Sequence, residues 1–349
     1  MKIVRLLLGL SLVFSLLPLS ANASEEKGSE YYYAEDIWDS WAYDEIDDFL
    51  SANIIDGYVK YDSEGYPIVN VNPESNITRA QFTKIIVNAM NLKLNGSGQT
   101  FSDVKSTDPL YPYIQIASSH GIIKGRDGRF DPNQKINREQ MAVMIHRAFK
   151  STVSFEASEK TFTDVPAGYW AEKEINEAAA SGIIKGYGDI FKPRNLATRA
   201  QGIVMIHRAL RQETTHMPNE NDMLSVVNDH FDQERQLFSA KNFDALSSLY
   251  NQNGTGYYKA ISLENVQYME EAESYGDAIE IEPVGNFTVS IETINNRYAE
   301  VYVEGLEYKE SYYSAGSEEY SDVMDYSGFY SLKLDDSGEW KIYNYRSAE

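Results

Sequence analysis

Three arginines hold one position in three related stretches: Arg79 in "ITRAQFTKIIVNAM", Arg138 in "INREQMAVMIHRAF" and Arg199 in "ATRAQGIVMIHRAL". Each follows a Thr or Asn, and a Gln stands two places further on. That spacing predicts a capping box, in which the cap side chain takes an orphan backbone N–H and the Gln reaches back to the cap. The helix then starts without help from the arginine. A cation in the first turn opposes the macrodipole by roughly 0.3–1 kcal/mol. An arriving carboxylate offsets that penalty. A guanidinium is a planar fork that suits bidentate carboxylate recognition, and a helix N-terminus with free N–H groups is itself an anion site. The chemistry these residues point to is anion binding. A lone surface Arg is more simply read as pairing with a nearby carboxylate; recurrence in three capping boxes weighs against that.

Other chemistry finds less support. The chain has no Cys, which removes thiol catalysis and thiolate metal sites. His120, His146, His207, His216 and His230 show no metal-ligand spacing, and His146 and His207 read as structural. "DSEG" and "DDSG" lack the alternating ligands of a calcium loop and read as turns. No catalytic residue, metal or cofactor is expected.

The elements that carry the arginines form repeats. Residues 162–210 align with 101–149 without a gap: Phe162 matches Phe101, Asp164 matches Asp103, and "GIIKG" and "IHRA" recur. A third copy, 36–90, matches Trp41 to Trp170, "NIIDGY" to "GIIKGY" and Arg79 to Arg199, with about nine extra residues that read as a small hairpin. Each repeat reads as helix, loop, helix. Gly182 ends one helix as a C′ residue. The helix after each capping box is apolar on most sides, so three copies are needed to bury it. Asp36, Asp103 and Asp164 read as caps or inter-repeat ties.

This set resembles the S-layer homology family over roughly residues 34–210. The resemblance implies an all-α pseudo-threefold bundle of three helix-loop-helix repeats, 24–92, 93–152 and 153–212. It also implies anchoring to a Gram-positive-type cell wall, through grooves that bind secondary cell-wall polysaccharide bearing pyruvate ketals. Carried over by position, the polysaccharide-binding residues are Arg79, Arg138 and Arg199, then Trp41 and Trp170, then Gly57-Tyr58, Gly125-Arg126 and Gly186-Tyr187. Together with the recurrence, the resemblance turns the reading of these arginines from surface ion pairs to ligand binding. The tryptophans offer flat faces to sugar rings, although core packing explains them equally well. The glycines are expected to admit a ligand close to the backbone. The second repeat departs from the pattern, with Pro109 for Trp, Arg126 for Tyr and Asn137 for Thr. The first lacks the leading Phe and has Asn53 for Gly. The groove built on second-repeat residues is therefore expected to be weak, with Arg138 its least important arginine.

The chain opens with Lys2 and Arg5, an apolar run from Leu6 to Leu17, and Ala21-Asn22-Ala23. This pattern predicts a secretory signal peptide over 1–23 and an exported protein without a membrane span. A polar segment, 213–221, reads as a linker. Residues 222–349 read as an α+β domain, one or two helices followed by a curved antiparallel sheet. That order resembles the nuclear-transport-factor-2-like cone fold in pattern, without a motif. Its acids and tyrosines single out no base. The net charge is −22, and residues 219–349 hold 26 acidic against 8 basic side chains. Such a balance argues against nucleic acid as a partner. The sequence reads as a non-catalytic surface protein whose outer domain has an unknown partner. The alternatives are a wall-tethered enzyme and an S-layer lattice subunit.

Overall fold

A computed structural model describes residues 27–155, 161–314 and 317–348. The expected signal peptide lies outside the described residues. Among them, no helix is long and apolar enough to cross a membrane.

Each repeat contributes two helices: α1 (Tyr43–Ser51) and α2 (Arg79–Ala89), α3 (Tyr111–Ser119) and α4 (Arg138–Phe149), α5 (Glu172–Ala180) and α6 (Arg199–Leu210). All three capping boxes form, on Thr78, Asn137 and Thr198. The second helices are the buried ones. In α6, Ile203, Val204, Met205 and Ile206 are all within the core. Helices α2, α4 and α6 touch one another pairwise, and each first helix packs on the second helix of the preceding repeat: α3 on α2, α5 on α4, and α1 on α6. The connectors are tied the same way. Ile136 N donates to the Ile77 carbonyl, Ala197 N to Ile136 and Ile77 N to Ala197, a closed ring of three backbone bonds. The repeats are not purely helical. The insertion in the first forms a hairpin, β1 (Tyr58–Tyr61) against β2 (Pro67–Asn70).

Asp36, Asp103 and Asp164 tie loops within their own repeats, not between repeats. Asp164 accepts from Phe191 N and Lys192 N, Asp103 from Phe130 N and Asp131 N, and Asp36 from Val71 N and Asn72 N. The second residue of each pair has positive φ, from 54° to 59°. A carboxylate that accepts two consecutive N–H groups holds such a turn in place.

The C-terminal domain has three helices, α7 (Glu220–Ser239), α8 (Phe243–Asn253) and α9 (Gly256–Ser274), where the sequence suggested one or two. Seven strands follow: β3 (Ala278–Val284), β4 (Thr288–Ile294), β5 (Tyr298–Glu304), β6 (Glu307–Ser314), β7 (Ser317–Asp325), β8 (Gly328–Leu334) and β9 (Trp340–Ser347). They form two antiparallel sheets, ordered β3-β6-β7 and β4-β5-β8-β9.

The segment read as a linker is not a free tether. Glu213 is fully buried and takes two bonds from Arg297, at 2.6 and 2.9 Å. Arg297 also donates to the Met90 carbonyl at 2.5 Å, and Tyr298 to that of Ala89 at 2.9 Å. The C-terminal domain is therefore seated on the repeats.

Candidate functional site

The three arginines stand at the junctions between repeats, and each reaches into the next repeat. Arg138 Nε donates to the Phe191 carbonyl at 2.8 Å and Nη2 to that of Lys185 at 3.0 Å. Arg79 Nε donates to the Phe130 carbonyl at 2.9 Å. Arg199 closes the cycle, its Nη2 donating to the Asp56 carbonyl at 2.9 Å. Its Nε is buried without a partner. The guanidinium groups are thus half committed to backbone, not wholly free as the capping argument implied.

The helix N-termini are also not open anion sites. Arg138 N and Glu139 N donate to the Asn195 and Pro193 carbonyls, Arg79 N and Ala80 N to Gln134 and Pro132, and Arg199 N and Ala200 N to Ser75 and Pro73. The capping boxes satisfy the following N–H groups. What remains for an anion is the guanidinium charge and the dipole.

That charge has no direct ion-pair partner, although Asp103 and Asp131 act on Arg79, Asp164 on Arg138, and Asp36 and Asp56 on Arg199 from further away. Among the described residues, no carboxylate lies within ion-pair distance of Arg79, Arg138 or Arg199. Burial pushes all three guanidinium pKa values down, most plainly because Arg138 and Arg199 are 3% and 9% exposed. Arginine remains charged regardless. The rings beside it stabilise the cation by its position over their faces. Arg138 lies 5.0 Å from the Tyr187 ring centre, Arg199 5.6 Å from Tyr58, and Arg79 4.8 Å from Phe130.

Two junctions therefore combine the arginine of one repeat with the Gly-Tyr pair of the next: Arg138 meets Lys185 and Tyr187 on either side of Gly186, and Arg199 meets Asp56 and Tyr58 on either side of Gly57. Arg79 meets Phe130 of the second repeat. Tyr187 and Tyr58 are about half exposed, and their hydroxyls accept from the capping-box Gln201 and Gln81, each at 3.2 Å. Lys192 Nζ lies over the outer part of the Tyr187 site, 4.6 Å from the ring centre. Arg126 instead points to solvent and meets only Asp127, at 3.9 Å. Sequence alignment found these positions but not their partnership, because partnership depends on how the repeats close on one another.

Trp41 and Trp170 are 58% and 55% exposed, so neither is a core residue. Trp41 donates to Glu74, next to the Ser75 carbonyl that receives α6. Trp170 follows Tyr169, whose hydroxyl donates to Glu139 in the first turn of α4. Each tryptophan thus flanks one of the two junctions with an intact Gly-Tyr pair. The glycines have a packing reason of their own. A Cβ at Gly186 would stand 2.3 Å from Phe162, one at Gly57 2.2 Å from Val69, and one at Gly125, with φ of +64°, 2.5 Å from the Arg129 carbonyl oxygen.

The sequence reading passed over one cluster in the C-terminal domain. Glu234 on α7 is buried and accepts hydroxyl bonds from Tyr250 and Tyr308, each at 2.6 Å. The signal was present: Val227, Phe231, Glu234 and Phe238 share one helical face, so an acid sits on an apolar stripe. Among the described residues no group of His, Cys, Asp or Glu is arranged to hold a metal.

Comparison with known proteins finds relatives of the repeats. Residues 100–142 and 161–201, within the second and third repeats, match the S-layer homology domain. The chain is 32% identical over 182 residues to Exoglucanase XynX of Acetivibrio thermocellus, a match covering 51% of this chain and 16% of that one. It is 30% identical over 157 residues to Cellulosome-anchoring protein of Acetivibrio thermocellus, covering 43% and 35%. Over 177 residues it is 28% identical to S-layer protein sap of Bacillus anthracis, covering 50% and 20%. The chain thus spans about a third or less of each of these relatives.

Proposed function

Because residues 100–142 and 161–201 are S-layer homology domains, we propose that this chain is an exported protein held non-covalently on a bacterial cell wall. In this reading its three repeats act as one pseudo-threefold unit on anionic secondary wall polysaccharide bearing pyruvate ketals. The observation that carries it is the pair of buried guanidinium groups without an ion-pair partner, Arg138 and Arg199. Each is set beside an exposed tyrosine and flanked by an exposed tryptophan. A ketal carboxylate supplies the missing charge, and the rings receive the sugar. Individually weak sites on one repeating polymer add through effective concentration. The C-terminal domain is carried as a rigid, non-catalytic passenger.

The test is a pull-down of the mature chain on purified walls, with and without chemical removal of the ketal acids. Binding should be lost with the acids. Equal retention on both walls sinks the carboxylate reading. A wall-tethered enzyme is the second reading, and the buried Glu234 cluster is what favours it; a screen of the mature chain for hydrolysis of wall glycans separates the two.

A further inference from the structure

The C-terminal domain contains a cavity of about 90 Å³ between α7, α9 and the sheets. Among the described residues, no Lys, Arg or His lines it, whereas two carboxyls do, Glu234 on its floor and Glu310 nearer its mouth. Both oxygens of Glu234 take a tyrosine hydroxyl at 2.6 Å, a length typical of charge-assisted O–H···O⁻ bonds. The two phenols pin Glu234 as a fixed acceptor. Glu310 Oε1 takes the Tyr326 hydroxyl at 2.5 Å, and its Oε2 has no partner among the described residues. The adjacent cation, Arg235, is turned away and donates to the Val284 and Gly285 carbonyls. His230, behind the wall, is pushed down to about 3 by burial and is neutral. Burial also pushes the carboxyls of Glu234 and Glu310 up, against the hydroxyl bonds that each accepts and, for Glu234, the more distant Arg235 charge.

The rest of the lining is mostly aromatic and apolar, with Phe231, Tyr258, Tyr330 and Tyr345 contributing ring surface and Ser262 and Asn265 adding uncharged polar groups. Aromatic faces carry the negative end of the ring quadrupole and attract cations. We propose that this cavity binds a small organic ammonium ion, with Glu234 and Glu310 as its counter-charges and the tyrosine rings as its walls. An anion would meet two carboxyls and no cation. A neutral apolar guest would leave both carboxyls uncompensated. A metal ion would find ring carbon where it needs a shell of oxygen. A dry cavity of about 150 Å³ takes benzene, so this one holds roughly three or four heavy atoms as it stands, close to the size of a methylated ammonium head.

The test is calorimetric titration of the mature chain with tetramethylammonium chloride, with sodium chloride matching ionic strength, against tert-butanol as a neutral molecule of similar size. The cation should bind at least about tenfold tighter than the alcohol. Glu310→Gln should weaken the cation roughly tenfold and leave the alcohol unchanged; because Glu310 sits near the mouth, its melting temperature serves as the check on folding. Equal binding of cation and alcohol, no binding of the cation at millimolar concentration, or tighter binding of acetate than of the cation would each overturn the assignment. So would a folded Glu310→Gln variant that binds the cation as the wild type does.

Discussion

At the scale of single residues, the contacts of the arginines argue for a different order of importance from the one alignment suggests. Repeat-by-repeat comparison puts the weak member at Arg138, because its own repeat is the divergent one. Junctions, however, mix repeats: Arg138 faces the intact Gly186-Tyr187 of the third, and Arg79 faces Phe130 of the second, the repeat whose Gly125-Arg126 pair is divergent. Arg138→Ala and Arg199→Ala should each weaken wall binding roughly tenfold, about 1.4 kcal/mol, and Arg79→Ala by less than about threefold. Titrated wall pull-downs of the mature variants, with melting curves to exclude unfolding, measure this. If Arg79→Ala proves the most damaging, the pairing of arginines with loops is not what governs binding. His230 yields a second prediction. Its folded pKa, about 3, lies below the ordinary histidine value, so the unfolded chain binds more protons between them. The stability it contributes is complete above about pH 6.5 and is lost as pH falls toward 3, with a slope of up to about 1.4 kcal/mol per unit. Burial pushes Glu234 and Glu310 the other way, upward. The difference between wild type and His230→Gln in denaturant melts at several pH values isolates the histidine, and parallel curves would show that it does not titrate on unfolding.

At the scale of elements, the carboxylate clamps hold the loops that receive the arginines. Asp164 fixes Phe191 N and Lys192 N, and the Phe191 carbonyl is what Arg138 Nε meets. Asp164→Ala leaves two partly buried N–H groups without an acceptor, at about 1–3 kcal/mol each. It should lower stability by about 2–4 kcal/mol and weaken wall binding with it. Thr198→Ala removes only a cap and should cost about 1 kcal/mol, with binding per folded molecule unchanged. Denaturant titration beside the pull-down distinguishes the two. Much of this level was legible in sequence. The capping boxes start the second helices where Thr-x-x-Gln and Asn-x-x-Gln predict, and the insertion forms its hairpin. Two things were not legible. Helix α9 buries Tyr257, Tyr258, Ala260, Ser262 and Val266, a mixture of sizes and polarities that blurs its apolar stripe. The break between strands β5 and β6 falls at Gly305, whose φ of +75° turns the chain inside an otherwise strand-like run. Long-range partners, such as the carbonyls that receive each guanidinium, lie in other repeats and leave no trace in local spacing.

At the scale of the whole molecule, polarity misleads in the stretch after α6. "RQETTHMPNENDM" has the composition of a linker, yet it is the seam between the two halves. Asp48 on α1 accepts from Arg211 at 3.0 Å and from Tyr343 of β9 at 2.6 Å, with His207 at 3.1 Å. Burial alone would raise Asp48; these partners outweigh it and hold its carboxyl well below the usual range. The C-terminal domain approaches so closely that a Cβ on Gly256 would stand 1.8 Å from the Ser51 carbonyl oxygen. Repeats and C-terminal domain should therefore unfold in one transition. Arg297→Ala leaves the carboxylate of Glu213 buried and unpaired, a loss of about 3–5 kcal/mol. Replacing both partners, Glu213→Leu with Arg297→Met, should recover much of it, because the uncompensated charge is gone. Calorimetry and limited proteolysis of both variants decide the matter. In Arg297→Ala the transition should split or fall, and cleavage should appear between residues 213 and 219. If wild type already melts in two steps, and Arg297→Ala moves neither, the seam carries no coupling and the C-terminal domain is a tethered passenger after all.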